Sequence, residues 1–232
     1  MRMQIIRPIF SVGKALKRRL KSLTKKKSNK IFKKVSGVIH VGANTGQEIQ
    51  LYSKYGLSVV WIEPIPDVFR KLQSNLKGIQ GQLAIEGLVT DLDNVEYHFH
   101  LANNNGASSS ILELNLHKDI WPGVTFEETI NLHSKTLPSL LAANHIDPSV
   151  YDMLAIDTQG SELLVLKGAL PILHNFVYIK TEVPDFEAYK GCCQLKDLQS
   201  FLGNHGYSEI SRHQFASHPG GGNYYDIIYK KK

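Results

Sequence analysis

The chain has little cysteine and no long apolar run, and each scarcity closes off a class of protein. Two cysteines occur in 232 residues, adjacent at Cys192 and Cys193. That excludes a disulfide scaffold and fits a reducing, cytoplasmic compartment. Adjacency makes a mutual disulfide geometrically awkward, so the pair reads as packing residues. No apolar run is long enough to cross a bilayer. Residues 1–8 are too brief and too soon interrupted for a secretory signal. The ten histidines show no H-E-x-x-H or comparable metal spacing. His98 and His100 share one strand face, a pair without a third ligand. No serine sits in a G-x-S-x-G elbow, which removes the commonest α/β-hydrolase argument.

Acid is missing from the first 47 residues, the first carboxylate being Glu48. Residues 1–34 hold 13 of the 27 Lys and Arg, while the remaining 14 face 21 acidic residues. The formal net charge of +6 therefore hides a basic arm on an acidic body of −7. Within the arm, Ile9, Phe10, Val12, Ala15, Leu16, Leu20 and Leu23 could form an apolar stripe, with Lys14, Lys17, Arg18, Arg19 and Lys21 around it. A basic amphipathic helix can lie on an anionic membrane surface or dock on a partner. A solvated extension, or a helix covering the first strand, is the plainer reading. Nucleic acid is disfavoured as a partner, because no zinc pattern or aromatic interleaving supports recognition and an acidic body repels a phosphate backbone. The chain divides into an extension, 1–34, and one domain, 35–232, long enough for a large α/β core.

The most informative stretch is Val38-Ile39-His40-Val41-Gly42-Ala43-Asn44-Thr45-Gly46, followed by Val59-Val60-Trp61-Ile62-Glu63. An apolar run enters a glycine turn, then a helix, then a second apolar run ending in a carboxylate. That order places a nucleotide-like ligand at the carboxyl edge of a parallel sheet. Gly42 and Gly46 would let the backbone approach the ligand, and Glu63 could accept from ribose hydroxyls. The spacing is G-x-x-x-G, neither the dinucleotide fingerprint nor a P-loop. An adenosine ligand without a pyrophosphate fits better, which points towards S-adenosylmethionine. Another nucleotide, or a turn with no ligand, is the alternative.

Alternation of strands and helices continues along the chain and predicts a three-layer αβα sandwich. Strands are expected at 37–41, 58–62, 82–89, 95–101, 150–156, 176–179 and 224–229, and helices at 47–55, 66–76, 163–173 and 195–203. Residues 102–133 lose the pattern, and the last strand is expected to close the sheet as an antiparallel edge. Asp157 and Glu182 fall where strands should end on the same side as Glu63. Three carboxylates converging there are costly unless they meet polar ligand groups, a metal or mutually raised pKa values. The plainer roles are an N-cap for Asp157 and a first-turn helix residue for Glu162. For His40, inside the first strand, it is a buried and hydrogen-bonded core imidazole.

Taken together, these residues resemble the FkbM family of S-adenosylmethionine-dependent methyltransferases. The matching pieces are His40-Val41-Gly42-Ala43-Asn44-Thr45-Gly46, Trp61-Ile62-Glu63-Pro64, Asn104-Asn105-Gly106-Ala107-Ser108-Ser109-Ser110 and Ile156-Asp157-Thr158-Gln159-Gly160-Ser161-Glu162. Leu166-Lys167-Gly168-Ala169, Lys180-Thr181-Glu182 and Asp226-Ile227-Ile228-Tyr229 continue the series, which spans about residues 37–230. The resemblance implies a Rossmann-like methyltransferase fold and O-methylation of a sugar, glycan or glycosylated natural-product hydroxyl. It implies cofactor contacts from His40, Gly42, Ala43, Asn44, Gly46, Glu63, Ser108 and Ser109. His40 stands where many members have Asp, which leaves its contact with the methionine end open. Asp157 is expected as base or metal ligand, supported by Glu182, with a divalent cation as one way to lower the hydroxyl pKa. The Asn/Asp-Pro-Pro-Tyr/Phe motif of amino-nitrogen methylases is absent. A non-catalytic nucleoside- or glycan-binding module on the same fold is the competing reading. The arm lies outside the resemblance; membrane contact through it would make the protein peripheral.

Overall fold

Runs of β-branched and aromatic residues bounded by glycine build the middle of the molecule. A computed structural model describes residues 30–232. In chain order the elements begin with β1 (Gly37–Val41), α1 (Ile49–Lys54), β2 (Ser58–Glu63), α2 (Pro66–Leu76), β3 (Gln82–Glu86), β4 (Leu88–Val89), β5 (Glu96–Ala102) and α3 (His117–Ile120). They continue with β6 (Phe126–Lys135), α4 (Leu137–Ala143), β7 (Met153–Ile156), α5 (Glu162–Gly168), β8 (Tyr178–Pro184), α6 (Leu195–Asn204), β9 (Tyr207–Ser217) and β10 (Asn223–Lys231).

Seven strands form one sheet in the order β3-β2-β1-β7-β8-β10-β9, and β4, β6 and β5 form a second, smaller one. From β3 to β8 every pairing in the large sheet is parallel. β10 runs antiparallel to both of its neighbours. The chain moves outward from β1 through β2 and β3, then returns to β7 on the other flank of β1. That reversal is a topological switch point, where open α/β sheets take ligands.

Alternate residues of each strand face opposite helical layers. Ile39 and Val41 of β1 pack with Leu137 of α4, Leu166 of α5 and Leu198 of α6. Val38 faces the other way, with Tyr52 of α1 and Leu72 of α2. The result is the expected three-layer αβα arrangement. Ile31 and Phe32 join the second cluster, so packing of the domain starts inside the basic stretch. The apolar stripe read between Ile9 and Leu23 lies outside the described residues.

Several boundaries differ from the sequence reading, for identifiable reasons. Residues 82–89 do not form one strand: the chain breaks at Gly87, whose amide donates to the Glu63 carbonyl at 3.2 Å. β4 then leaves to pair with β6. Residues 96–102 form a strand, but in the second sheet. The helix expected at 163–173 stops at Gly168, and residues Leu170–Asn175 form a 3-10 helix with Pro171 in its first turn. β6 and β9 escape the sequence pattern because their residues are polar and mostly exposed or half-buried. The C-terminal edge is antiparallel as expected, with the tail strand β10 lying one place in from β9.

Candidate functional site

The turn after β1 is built on close backbone contact. The Gly42 and Ala43 amides both donate to the Ile62 carbonyl at 3.0 Å. Gly42 has φ +79°, and a Cβ placed there would stand 1.8 Å from the Asp157 carbonyl oxygen. Only glycine lets the turn cross the end of β7 so closely. Asn44, also at positive φ, donates its amide to Glu63 Oε2 at 2.8 Å. Glu63 Oε1 accepts the Ile65 amide at 3.0 Å. Each carboxylate oxygen therefore keeps a second lone-pair direction. Burial pushes Glu63 up to about 7, outweighing the lowering effect of those amides.

The loop after β5 leans on this turn. Asn44 Nδ2 donates to the Asn105 carbonyl at 3.1 Å. The Asn104 side chain folds back on Ser108, accepting its amide at 3.1 Å and donating to its Oγ at 2.9 Å. Ser109 Oγ accepts the Ala102 amide at 2.9 Å, and Ser110 Oγ donates to the Gln159 carbonyl at 2.8 Å.

Asp157 follows β7, and its Oδ1 accepts from Gln159 Nε2 at 2.6 Å. Burial, reinforced by the charge of Glu162, pushes its carboxyl up to about 7. Ser161 is the N-cap residue of α5, so Asp157 does not have that role. Glu162 is a structural residue: it accepts the Thr158 and Gly160 amides and the Cys193 thiol, closing the turn between β7 and α5. Glu182 on β8 is raised by burial and by the charges of Asp157 and Asp226.

These groups enclose one cavity of about 280 Å³ at the switch point. Gly42, Asn44, Glu63, Ser108 and Ser109 line it, as do Asp157 and Glu182. Ala43 and Gly46 support the turn from below and are not part of the wall. His40 lies on the α1 side of the sheet, its ring stacked on Trp61 at 5.4 Å and its Nδ1 3.4 Å from the Tyr52 hydroxyl. Burial pushes it down to about 4, so it is a neutral core residue at pH 7.

Among the wall residues that were not legible in the sequence are His117, Trp121 and Phe215. His117 Nδ1 is 2.8 Å from the Tyr224 hydroxyl and its Nε2 is 3.1 Å from Ser108 Oγ. Burial pushes this imidazole down to about 4. Its partner Tyr224 lies more than a hundred positions away, so no local spacing signals it. Among the described residues no group of three or more His, Cys, Asp or Glu is placed to hold a metal ion. His98 and His100 bond instead to Asn131 and Thr129.

A switch-point cavity with a glycine turn on one side and a strand-end carboxylate on the next suits a nucleoside-bearing cofactor on a Rossmann-like fold. The chain belongs to the FkbM family, since the Methyltransferase FkbM domain matches residues 40–209. No curated protein matches the chain. Several solved structures are similar to the chain at low identity. M. capricolum TrmK, solved with S-adenosylhomocysteine, is 11% identical with a TM-score of 0.50, covering 88% of this chain and 68% of its own. A putative tRNA methyltransferase of Streptococcus pneumoniae, solved with S-adenosyl-L-methionine, is 12% identical with a TM-score of 0.48, covering 88% and 72%. Precorrin-6y C5,15-methyltransferase of Geobacter metallireducens is 12% identical with a TM-score of 0.47, covering 89% and 88%.

The carboxylates leave a mark on stability. Glu63, Asp157 and Glu182 keep protons in the folded state that the unfolded chain has already lost, so stability falls as pH rises through their folded pKa values. His40 and His117 act in the opposite sense, but only below their unfolded value of about 6.5. Thermal unfolding of the ligand-free protein should therefore move to lower temperature between about pH 6.5 and pH 8. A rise across that window in calorimetry would contradict the burial of these carboxylates.

Proposed function

We propose that this methyltransferase acts on a hydroxyl oxygen of a sugar, glycan or glycosylated natural product, with Asp157 taking the hydroxyl proton. The observation that carries this reading is the position of Asp157 at the end of β7, in the cavity, with a carboxyl pushed up to about 7. A base in that range is both partly ionised at neutral pH and strong enough to be useful. Gln159 holds Oδ1, which leaves Oδ2 for the acceptor. Burial and the charge of Glu162 favour proton uptake at Asp157.

The residues around the turn suit S-adenosylmethionine. Glu63 would accept from the ribose hydroxyls with its free lone pairs, and Ile65, Leu88 and Phe99 offer an apolar wall for the base. Asn44, Ser108 and Ser109 add polar groups beside them. When bound, the cofactor supplies an activated methyl group on a sulfonium. The share of this chain is to align the hydroxyl, exclude water and receive the proton. Asp157 and Glu182 could also be two ligands of a divalent ion, a route that a chelator would reveal by abolishing transfer.

Asp157→Asn keeps the shape and loses the base. It should retain cofactor binding while methyl transfer falls by about 10²–10⁴-fold. Parental turnover by the folded variant would make Asp157 structural. In the parent, kcat/KM should rise as pH passes through about 7, because only the ionised carboxylate accepts the proton. Glu63→Ala should weaken cofactor affinity by about 1–3 kcal/mol in calorimetry, and unchanged affinity would remove the ribose contact.

The basic stretch at residues 1–34 supports a further part of the reading, attachment to an anionic membrane where lipid-linked or surface glycans are built. Each Lys or Arg near such a surface adds up to about 1 kcal/mol, weakened by salt. Full-length protein should co-sediment with anionic vesicles at low salt, and a chain truncated before residue 30 should not. Equal binding by both would take the arm out of the mechanism.

A further inference from the structure

The charge of the cavity wall is one-sided. Glu48, Glu63, Asp157 and Glu182 line it, and among the described residues no Lys or Arg does. Lys180 is not part of the wall: its Nζ is 3.9 Å from Asp226 Oδ1, and its charge also reaches Glu48, Asp157 and Glu182. Glu63 is held by two amides and belongs to the nucleoside end. That leaves Glu48, Asp157 and Glu182 facing the remainder of the space. S-adenosylmethionine has an ammonium and a sulfonium against one carboxylate, a net positive charge that offsets one carboxylate, so the acceptor end is net negative above about pH 7, where Asp157 joins Glu48 in the ionised state. The wall also includes the aromatic residues Trp121 and Phe215, and aromatic rings attract cations and not anions at their faces. His117 between them and Ser108 is neutral at pH 7, its ring nitrogens engaged by Tyr224 and Ser108.

We propose that the acceptor end of the cavity is a charge filter. It admits acceptors that are uncharged around the reacting hydroxyl, favours those with an ammonium there, as in an amino sugar, and rejects those with a carboxylate, sulfate or phosphate. The inference rests on the hydroxyl-transfer reading for the identity of the acceptor, though not for the sign of the filter. An anion entering the site gives up its water and meets carboxyl groups, while the one ammonium nearby, Lys180, is set outside the wall against Asp226 and cannot replace that water. An ammonium meets Asp157, Glu182 and two aromatic faces. The same charge disfavours nucleic acid, whose backbone would bring phosphates to the mouth.

Trp121 allows a test that needs no acceptor. The chain has two tryptophans, and Trp61 is fully buried. Quenching of the full-length protein by caesium and by iodide, each normalised to free N-acetyltryptophanamide, therefore reports on the charge around Trp121. At low salt and about pH 8, where Asp157 is ionised, the normalised caesium constant should exceed the iodide constant by about tenfold, and added salt should narrow the gap. Glu182→Gln should admit more iodide, and Trp121→Phe should remove the quenchable signal. In parallel, methyl transfer from labelled S-adenosylmethionine is compared among a methyl hexoside, its 2-amino-2-deoxy analogue and its uronate. The amino sugar should have the highest kcat/KM and the uronate the lowest, at least about tenfold below the hexoside. Iodide reaching Trp121 as well as caesium does, or a uronate methylated as fast as the hexoside, would overturn the filter. Selective quenching with no glycoside labelled would uphold the filter and refute the glycoside reading.

Discussion

The contact on which the site depends is the crossing of the β1 turn over the end of β7. The Asp157 amide donates to the Val41 carbonyl at 2.9 Å, and the Asp157 carbonyl presses against Gly42 with no room for a side chain. That contact joins the glycine turn to the strand that bears the proposed base. Sheet register does the rest, since β1 pairs with β2 and with β7 in parallel. Glu63 and Asp157 therefore emerge on the two sides of one turn, at the edge where the strand order reverses. The second sheet adds a wall by diverting the chain at Gly87 into β4, which brings Leu88 and Phe99 into the cavity lining.

The arrangement is held against an electrostatic cost. Buried carboxylates that repel one another destabilise an empty fold, and the chain relieves only part of this. Two amides satisfy Glu63, Gln159 and the more distant Lys180 ease Asp157, and Glu162 is fully engaged in closing its turn. Glu182 is left with the charges of Asp157 and Asp226 on either side. A site of this kind gains most when a cation or a hydrogen-bond donor arrives, so the strain in the free protein and the selectivity of the site have one source. Fold-level consistency is given up locally at a functional edge, as is common in natural proteins.

The parts of this account that the sequence disclosed are those with local signatures. A glycine turn between apolar runs, with Glu63 at the next strand end and Asp157 after a buried tetrapeptide, is written in consecutive residues. His117, Trp121 and Phe215 are not. They reach the wall through the packing of α3 and β9 against Tyr224 and Phe186, contacts between segments far apart in the chain. β9 itself is a polar edge strand, and β6 presents mostly exposed residues, so neither has the apolar period that betrays a strand. His40 illustrates the converse. Its place in the motif suggests a ligand contact, while the alternation of β1 turns it towards Tyr52 and Trp61.

The most direct test of the central claim is a crystal structure of the complex with S-adenosylhomocysteine. The account places the ribose at Glu63, the base against Ile65, Leu88 and Phe99, and the sulfur facing the space between Asp157 and Trp121. A nucleoside bound outside this cavity, or one inside it with the sulfur turned away from Asp157, would contradict the account.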